Sequence, residues 1–186
     1  MTDEQALPAG DFSSWVAEMQ AAIRGERAAH VPCDGCTACC TSSHFVHIEP
    51  DETDTLARIP AALLFPAPGM PRGNVMLGYD ERGHCPMLVD GTCSIYDDRP
   101  RACRTYDCRI FAAADLALDD DKVLIAERVR RWRFSYPTRD DRDRQAAVRA
   151  AATYLEEHGE PAGDAIPTSV TGIAVRAIEL HEDFLP

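Results

Sequence analysis

Residues 33–40 read Cys33-Asp34-Gly35-Cys36-Thr37-Ala38-Cys39-Cys40, two overlapping C-x2-C units that end in a cysteine pair. Two intervening residues let both sulfurs of a C-x2-C unit converge on one ion at a Zn–S distance of roughly 2.3 Å. Gly35 permits the tight backbone path that the first unit needs. In an extended segment, adjacent side chains face opposite ways, so Cys39 and Cys40 are expected to serve two different centres.

Four more cysteines follow, Cys85, Cys93, Cys103 and Cys108, and the chain has no others. Eight thiolates divide into two four-cysteine sites, or into one four-iron cluster with a second site or a redox-active remainder. Zinc is favoured by the C-x2-C units and by its preference for closed tetrahedral thiolate sites. Iron–sulfur is favoured by the C-x2-C-x2-C run and by Cys85-Pro86, which match separated parts of the ferredoxin-type run C-x2-C-x2-C-x3-C-P, with its x3 spacing missing. The spacing leaves zinc and iron–sulfur both open. It makes Cys33, Cys36, Cys39, Cys40, Cys85, Cys93, Cys103 and Cys108 the candidate metal ligands, with metal ions as the first expected partners.

Disulfides are the competing use of so many cysteines, and compartment decides between them. Asp3 and Glu4 near the start, with no basic leader and no apolar run before them, do not read as a secretory signal. No window approaches the ~20 apolar residues of a membrane span. The expectation is a cytoplasmic protein off the membrane, whose thiols stay reduced and available to metal. A net charge of -12 disfavours a coat for nucleic acid or for an anionic membrane, because its field repels phosphates. Arg128, Arg130, Arg131 and Arg133 cluster, as do Arg139, Arg142, Arg144 and Arg149, but Glu127, Asp140, Asp141 and Asp143 interleave with them as on a solvated helix face.

Outward from the cysteines, Phe12, Trp15, Val16, Met19 and Ile23 recur at helical spacing, which predicts an amphipathic helix over 11–29 capped by Asp11 or Ser13. A short strand is expected over 44–48, a short helix opened by Pro50 with Asp51 and Glu52, a loop over the Pro- and Gly-rich 66–73, and a strand over 74–79. Asp90-Gly91 between Met87-Leu88-Val89 and Cys93-Ser94-Ile95-Tyr96 signals a two-residue hairpin turn, which should set Cys85 and Cys93 on neighbouring strands. Asp97 or Asp98 can cap a helix opened by Pro100 that carries Cys103, with Cys108 just beyond. Three cysteine-free helical stretches follow, near 120–135, 140–158 and 168–182. The fold class expected is α+β: a small irregular cysteine-rich metal-binding core with short strands and a hairpin, packed by N-terminal and C-terminal helices. At 186 residues, a single domain 1–186 is expected, made of an N-terminal helix (11–30), the cysteine cluster (31–110) and a helical C-terminal part (111–186).

Four-thiolate centres of either kind carry net negative charge, so nearby cations are expected. Arg99, Arg101, Arg104 and Arg109 flank Cys103 and Cys108 and can donate to sulfur; pairing with Asp97, Asp98 and Asp107 is the plain alternative. His44, His47 and His84 lie near the cysteines, but an ordinary polar role suits them better where eight thiolates already suffice. Tyr96 and Tyr106 read as core aromatics.

The linked pattern Cys33-x2-Cys36-x2-Cys39-Cys40, Cys85-Pro86-x-Leu88, Gly91-x-Cys93-x-Ile95-Tyr96-x2-Arg99-Pro100-x2-Cys103-Arg104-x-Tyr106 resembles the YkgJ-like CxxCxxCC proteins, a zinc- or iron-chelating family, over about residues 33–108. The resemblance implies metal chelation by the cysteines and assigns no enzymatic activity. It extends distantly to the cysteine cluster of flagellin lysine N-methylases, where an iron–sulfur centre accompanies methyl transfer; the chain shows no glycine-rich nucleotide motif. Three functions follow as expectations. The first is a metal-binding protein with one or two thiolate centres of zinc or iron–sulfur. The second is an iron–sulfur-dependent protein-modifying enzyme acting on a protein substrate. The third is a zinc-stabilised module that holds a protein partner.

Overall fold

The computed structural model describes residues 6–29, 31, 35–118, 121–159 and 169–186. Cys33 lies outside these described residues. In chain order the elements begin with β1 (Leu7–Asp11), α1 (Phe12–Ile23), β2 (Val46–Ile48), α2 (Thr53–Arg58), β3 (Leu64–Pro66) and β4 (Val75–Leu77). They continue with β5 (Leu88–Val89), β6 (Thr92–Cys93), α3 (Arg101–Thr105), α4 (Arg109–Ala114), α5 (Val123–Val129), β7 (Trp132–Ser135), α6 (Arg139–His158) and α7 (Val170–Leu180). Short strands flanked by helices make this an α+β chain. Among the described residues, no helix is long and apolar enough to cross a membrane.

The chain gathers into two compact units, one formed by Met1–Arg27 with Asp107–Pro186 and the other by Ala28–Tyr106. The first unit is helical. Phe12, Trp15, Val16, Met19 and Ala22 are buried on one stripe of α1, as the apolar spacing requires. The stripe packs with α6, whose inner face is Ala147, Val148, Ala151, Ala152 and Leu155, and with α7, where Ala174, Ala177 and Ile178 are buried. The alanines let helix axes approach closely, and the bulk comes from α1 and from Ile110 and Phe111 of α4.

The helix expected over 11–29 stops at Ile23, because Gly25 turns to φ +73° and its amide closes back on the Ala22 carbonyl. Asp11 holds the cap position without capping; its carboxylate accepts from the Ser135 hydroxyl instead. That contact belongs to a feature absent from the sequence reading, a parallel pair between β1 and β7 that aligns Leu7 with Trp132 and Asp11 with Ser135. The helical stretch expected over 120–135 is therefore a helix, Val123–Val129, followed by the strand Trp132–Ser135. Further on, Thr138 and Asp141 form a capping box at the start of α6. The Asp141 carboxylate also accepts from the Ser13 amide at 2.9 Å, so one side chain serves the first turns of two helices. These donors, the Thr138 hydroxyl foremost and Ser13 next, hold its carboxyl well below the usual carboxylate range.

The second unit contains a three-stranded antiparallel sheet of order β2-β4-β3, with Val46 and Leu64 both opposite Leu77. The 66–73 segment is a loop as expected, except that Pro66 ends β3 opposite Val75. The β5-β6 hairpin turns at Asp90 and Gly91, both in the left-handed region at φ +50° and +76°, as its Asp-Gly sequence demands. The apolar core here is small: Ile48, Ile59, Leu77 and Ile95, with Cys85, Met87 and Cys93 among the partly buried groups against it.

Candidate metal centre

Six of the described cysteines lie in the second unit: Cys36, Cys39, Cys40, Cys85, Cys93 and Cys103. Cys39 and Cys40 sit in a 3-10 turn, Ala38–Thr41, closed by the Cys40 amide on the Thr37 carbonyl at 2.9 Å. The Ser42 hydroxyl donates back to the Ala38 carbonyl at 2.6 Å. The turn corrects the expectation that this pair faces opposite ways, since a tight coil does not alternate sides as a strand does. The two sulfurs lie 3.9 Å apart.

The second group of cysteines is tied to the first through the backbone, where the Cys85 amide donates to the Cys40 carbonyl at 2.7 Å. Cys85 precedes β5 instead of lying on it, which adjusts the expected pairing of Cys85 with Cys93 on neighbouring strands. Cys93 is on β6, opposite Leu88. Cys103 is on α3, opened by Pro100 as the sequence indicated. Asp98 does not cap that helix: its carboxylate takes Arg58 at 2.8 Å and its carbonyl accepts the Thr55 hydroxyl.

The electrostatics bring four of these sulfurs together. The Cys103 thiol is pushed up to about 12, first by loss of hydration and then by Cys39, Cys85 and Cys93, with the Arg99 charge opposing. Cys103 is exposed as a residue, while burial at its sulfur raises the thiol. The Cys85 thiol is also raised, chiefly by burial and further by Cys93 and Cys39, against amide donation from Met87 and Leu88. For Cys39 the contact with Cys40 raises the thiol most and burial adds to it. Crowded thiols of this kind resist ionisation by themselves, and a bound cation reverses the balance. Among the described residues, no three Cys, His, Asp or Glu side chains are drawn together as tightly as a metal ion requires. The four sulfurs share a neighbourhood without forming a closed site, and their soft donor chemistry suits zinc or iron.

Cys108 belongs to the other unit, at the cap position of α4, where its sulfur accepts the Trp132 indole N–H at 3.2 Å. Beside it the buried Asp107 accepts the Trp15 indole N–H at 2.9 Å and pairs with Arg109, which also donates to the Ala9 carbonyl. Neither tryptophan contact was visible in the sequence, because their partners lie 92 and 24 residues away.

The arginines divide. Arg101 pairs with Glu49 and with Asp51, Arg104 with Glu52 at 3.6 Å, and Arg109 with Asp107. For these three, carboxylates are the partners. Arg99 donates to the Tyr96 carbonyl and stacks over its ring at 4.1 Å. His47 shares a 2.8 Å hydrogen bond with Asn74, the His84 amide donates to Asp80, and the His44 ring packs near Tyr106. Tyr96 is exposed, against the expectation of a core aromatic.

Residues 32–121 match the CxxCxxCC family, described as a "putative zinc- or iron-chelating domain". The match spans just under half of the chain. No match to the chain is found among curated proteins or among solved structures. The matched stretch covers all eight cysteines and continues through α4, so its residues belong to both compact units. Metal binding is the general role that follows for it.

Proposed function

We propose that the matched stretch holds a thiolate-ligated metal centre in the unit Ala28–Tyr106, with Cys39, Cys85, Cys93 and Cys103 as its ligands. The observation that carries this reading is the tie between the two cysteine groups: the Cys85 amide donates to the Cys40 carbonyl at 2.7 Å, beside the Cys39–Cys40 sulfur pair, and Cys85 and Cys93 pack against one core. Cys40, 3.9 Å from Cys39, and Cys36 are the next donors, and with Cys33 and Cys108 the chain supplies eight thiols, enough for a second centre. Bound zinc would cross-link these segments, and an iron–sulfur cluster would add one-electron chemistry. The protein's own residues supply the rest: the Leu88 amide fixes the Cys85 backbone through its carbonyl, and the Arg99 charge opposes the negative charge at Cys103. The cytoplasm, which keeps thiols reduced, is the compartment this chemistry suits.

The test is anaerobic purification followed by elemental analysis and absorption spectroscopy. Stoichiometric zinc in a colourless protein, or iron with absorption near ~400 nm, is the expected result. Cys85→Ser and Cys103→Ser should each lower the metal content. Freshly reduced protein that takes up neither metal sinks the proposal.

A further inference from the structure

Cys103 sits on a helix of five residues, too short to hold its own direction. Its cap position is Pro100, which has no side-chain oxygen to accept from the first turn. The missing cap comes from elsewhere. Glu52, 6% exposed, stands at the start of α2 but makes no side-chain cap to that helix. Its carboxylate instead accepts the Arg101 amide, the first of α3, at 2.5 Å and the Glu49 amide at 3.0 Å, with the Arg104 guanidinium 3.6 Å away. A buried carboxylate is retained only where such donors offset its lost hydration, and here all three lie on the two segments it joins.

We propose that Glu52 is a positioning residue for the metal centre, its buried carboxylate capping α3 from a separate helix start and so fixing where Cys103 presents its sulfur. The inference rests on the reading of Cys103 as a ligand. Neighbouring contacts act the same way: Arg101 reaches back to Glu49 and Asp51, and the Thr55 hydroxyl holds the Asp98 carbonyl, so the start of α2 grips the whole approach to α3. Glu52 acts on the metal only through the backbone two residues before the ligand, as outer partners of metal ligands do.

The experiment loads full-length protein with Co(II), whose thiolate bands report both affinity and geometry, in competition with a chelator. Glu52→Gln keeps the shape and removes the charge. It should bind Co(II) about tenfold more weakly, the usual scale for an outer partner, with shifted thiolate bands and unchanged far-ultraviolet circular dichroism. In a Cys103→Ser background the same change should cost nothing further. Pro100→Ser, which restores a local cap, should recover most of the affinity lost in Glu52→Gln. If Glu52→Gln does not fold, Glu52→Asp, one methylene too short to reach the Arg101 amide, takes its place with the same loss expected. Unchanged affinity in Glu52→Gln, or an equal fall in the Cys103→Ser background, overturns the role of Glu52 while leaving the centre intact. Wild-type protein that binds no Co(II) overturns the centre and this role together.

Discussion

The two compact units are stabilised by different means. The helical unit buries Phe12, Trp15, Val16, Met19, Ile110, Phe111, Ile125, Trp132, Val148, Leu155 and Ile178, a broad apolar core. In the other, Ile48, Ile59, Ala67, Leu77 and Ile95 are the buried apolar side chains among the described residues, and two of the groups packed against them are cysteines. A core that small falls short of the entropy cost of ordering its chain, and a cross-linking ion is one of the few ways to close the gap. The thiols are concentrated where apolar burial is poorest.

The largest effect should come from withdrawing the metal. Chelation is expected to open the 35–106 segment to protease and to fast amide exchange while α1, α6 and α7 stay protected, as exchange mass spectrometry can read peptide by peptide. Equal protection in both units after complete metal removal breaks the contrast. The reciprocal test is Phe111→Ala, which should destabilise the helical unit by about 3–5 kcal/mol in denaturant melts and leave the metal-to-protein ratio unchanged. Thr138→Ala removes half of the capping box on α6 and should cost about 1 kcal/mol.

Acid sharpens the same comparison. The folded state depresses the Asp141 carboxyl, so its stabilisation is present above the unfolded value near about 4 and is lost as pH falls toward the folded one. The α1–α6 contact should therefore loosen below about pH 4, and Asp141→Asn should remove that part of the acid transition. The smallest effect is expected at the exposed Arg58–Asp98 pair, where Arg58→Ala should change stability by roughly 0.5 kcal/mol or less.

Local chemistry was legible in the sequence and distant pairing was not. Asp90-Gly91 fixed its hairpin because the turn's positive φ angles are a property of those two residues, and the α1 stripe followed from apolar spacing alone. Trp132-Arg133-Phe134-Ser135 alternates as a strand does, yet its partner is Leu7–Asp11, more than 120 residues earlier and interrupted by Pro8 and Gly10, so nothing nearby announced the pair. At the candidate centre the donors could be named from spacing, whereas the coil that brings Cys39 against Cys40 depends on hydrogen bonds from Thr41 and Ser42 that the cysteine motif does not contain. Glu52 read as an ordinary helix-start acid. Its reach to Arg101, 49 residues away, is a tertiary fact.

Because β1 and α1 precede the cysteine unit while their partners β7 and α6 follow it, the order of synthesis matters. As the ribosome delivers the chain, the first strand has no mate until Ser135 has emerged, by which time every cysteine is already outside the exit tunnel. The sulfur-bearing segment thus has a head start of several seconds at ordinary elongation rates in which to capture its ion before the helices can close their own core.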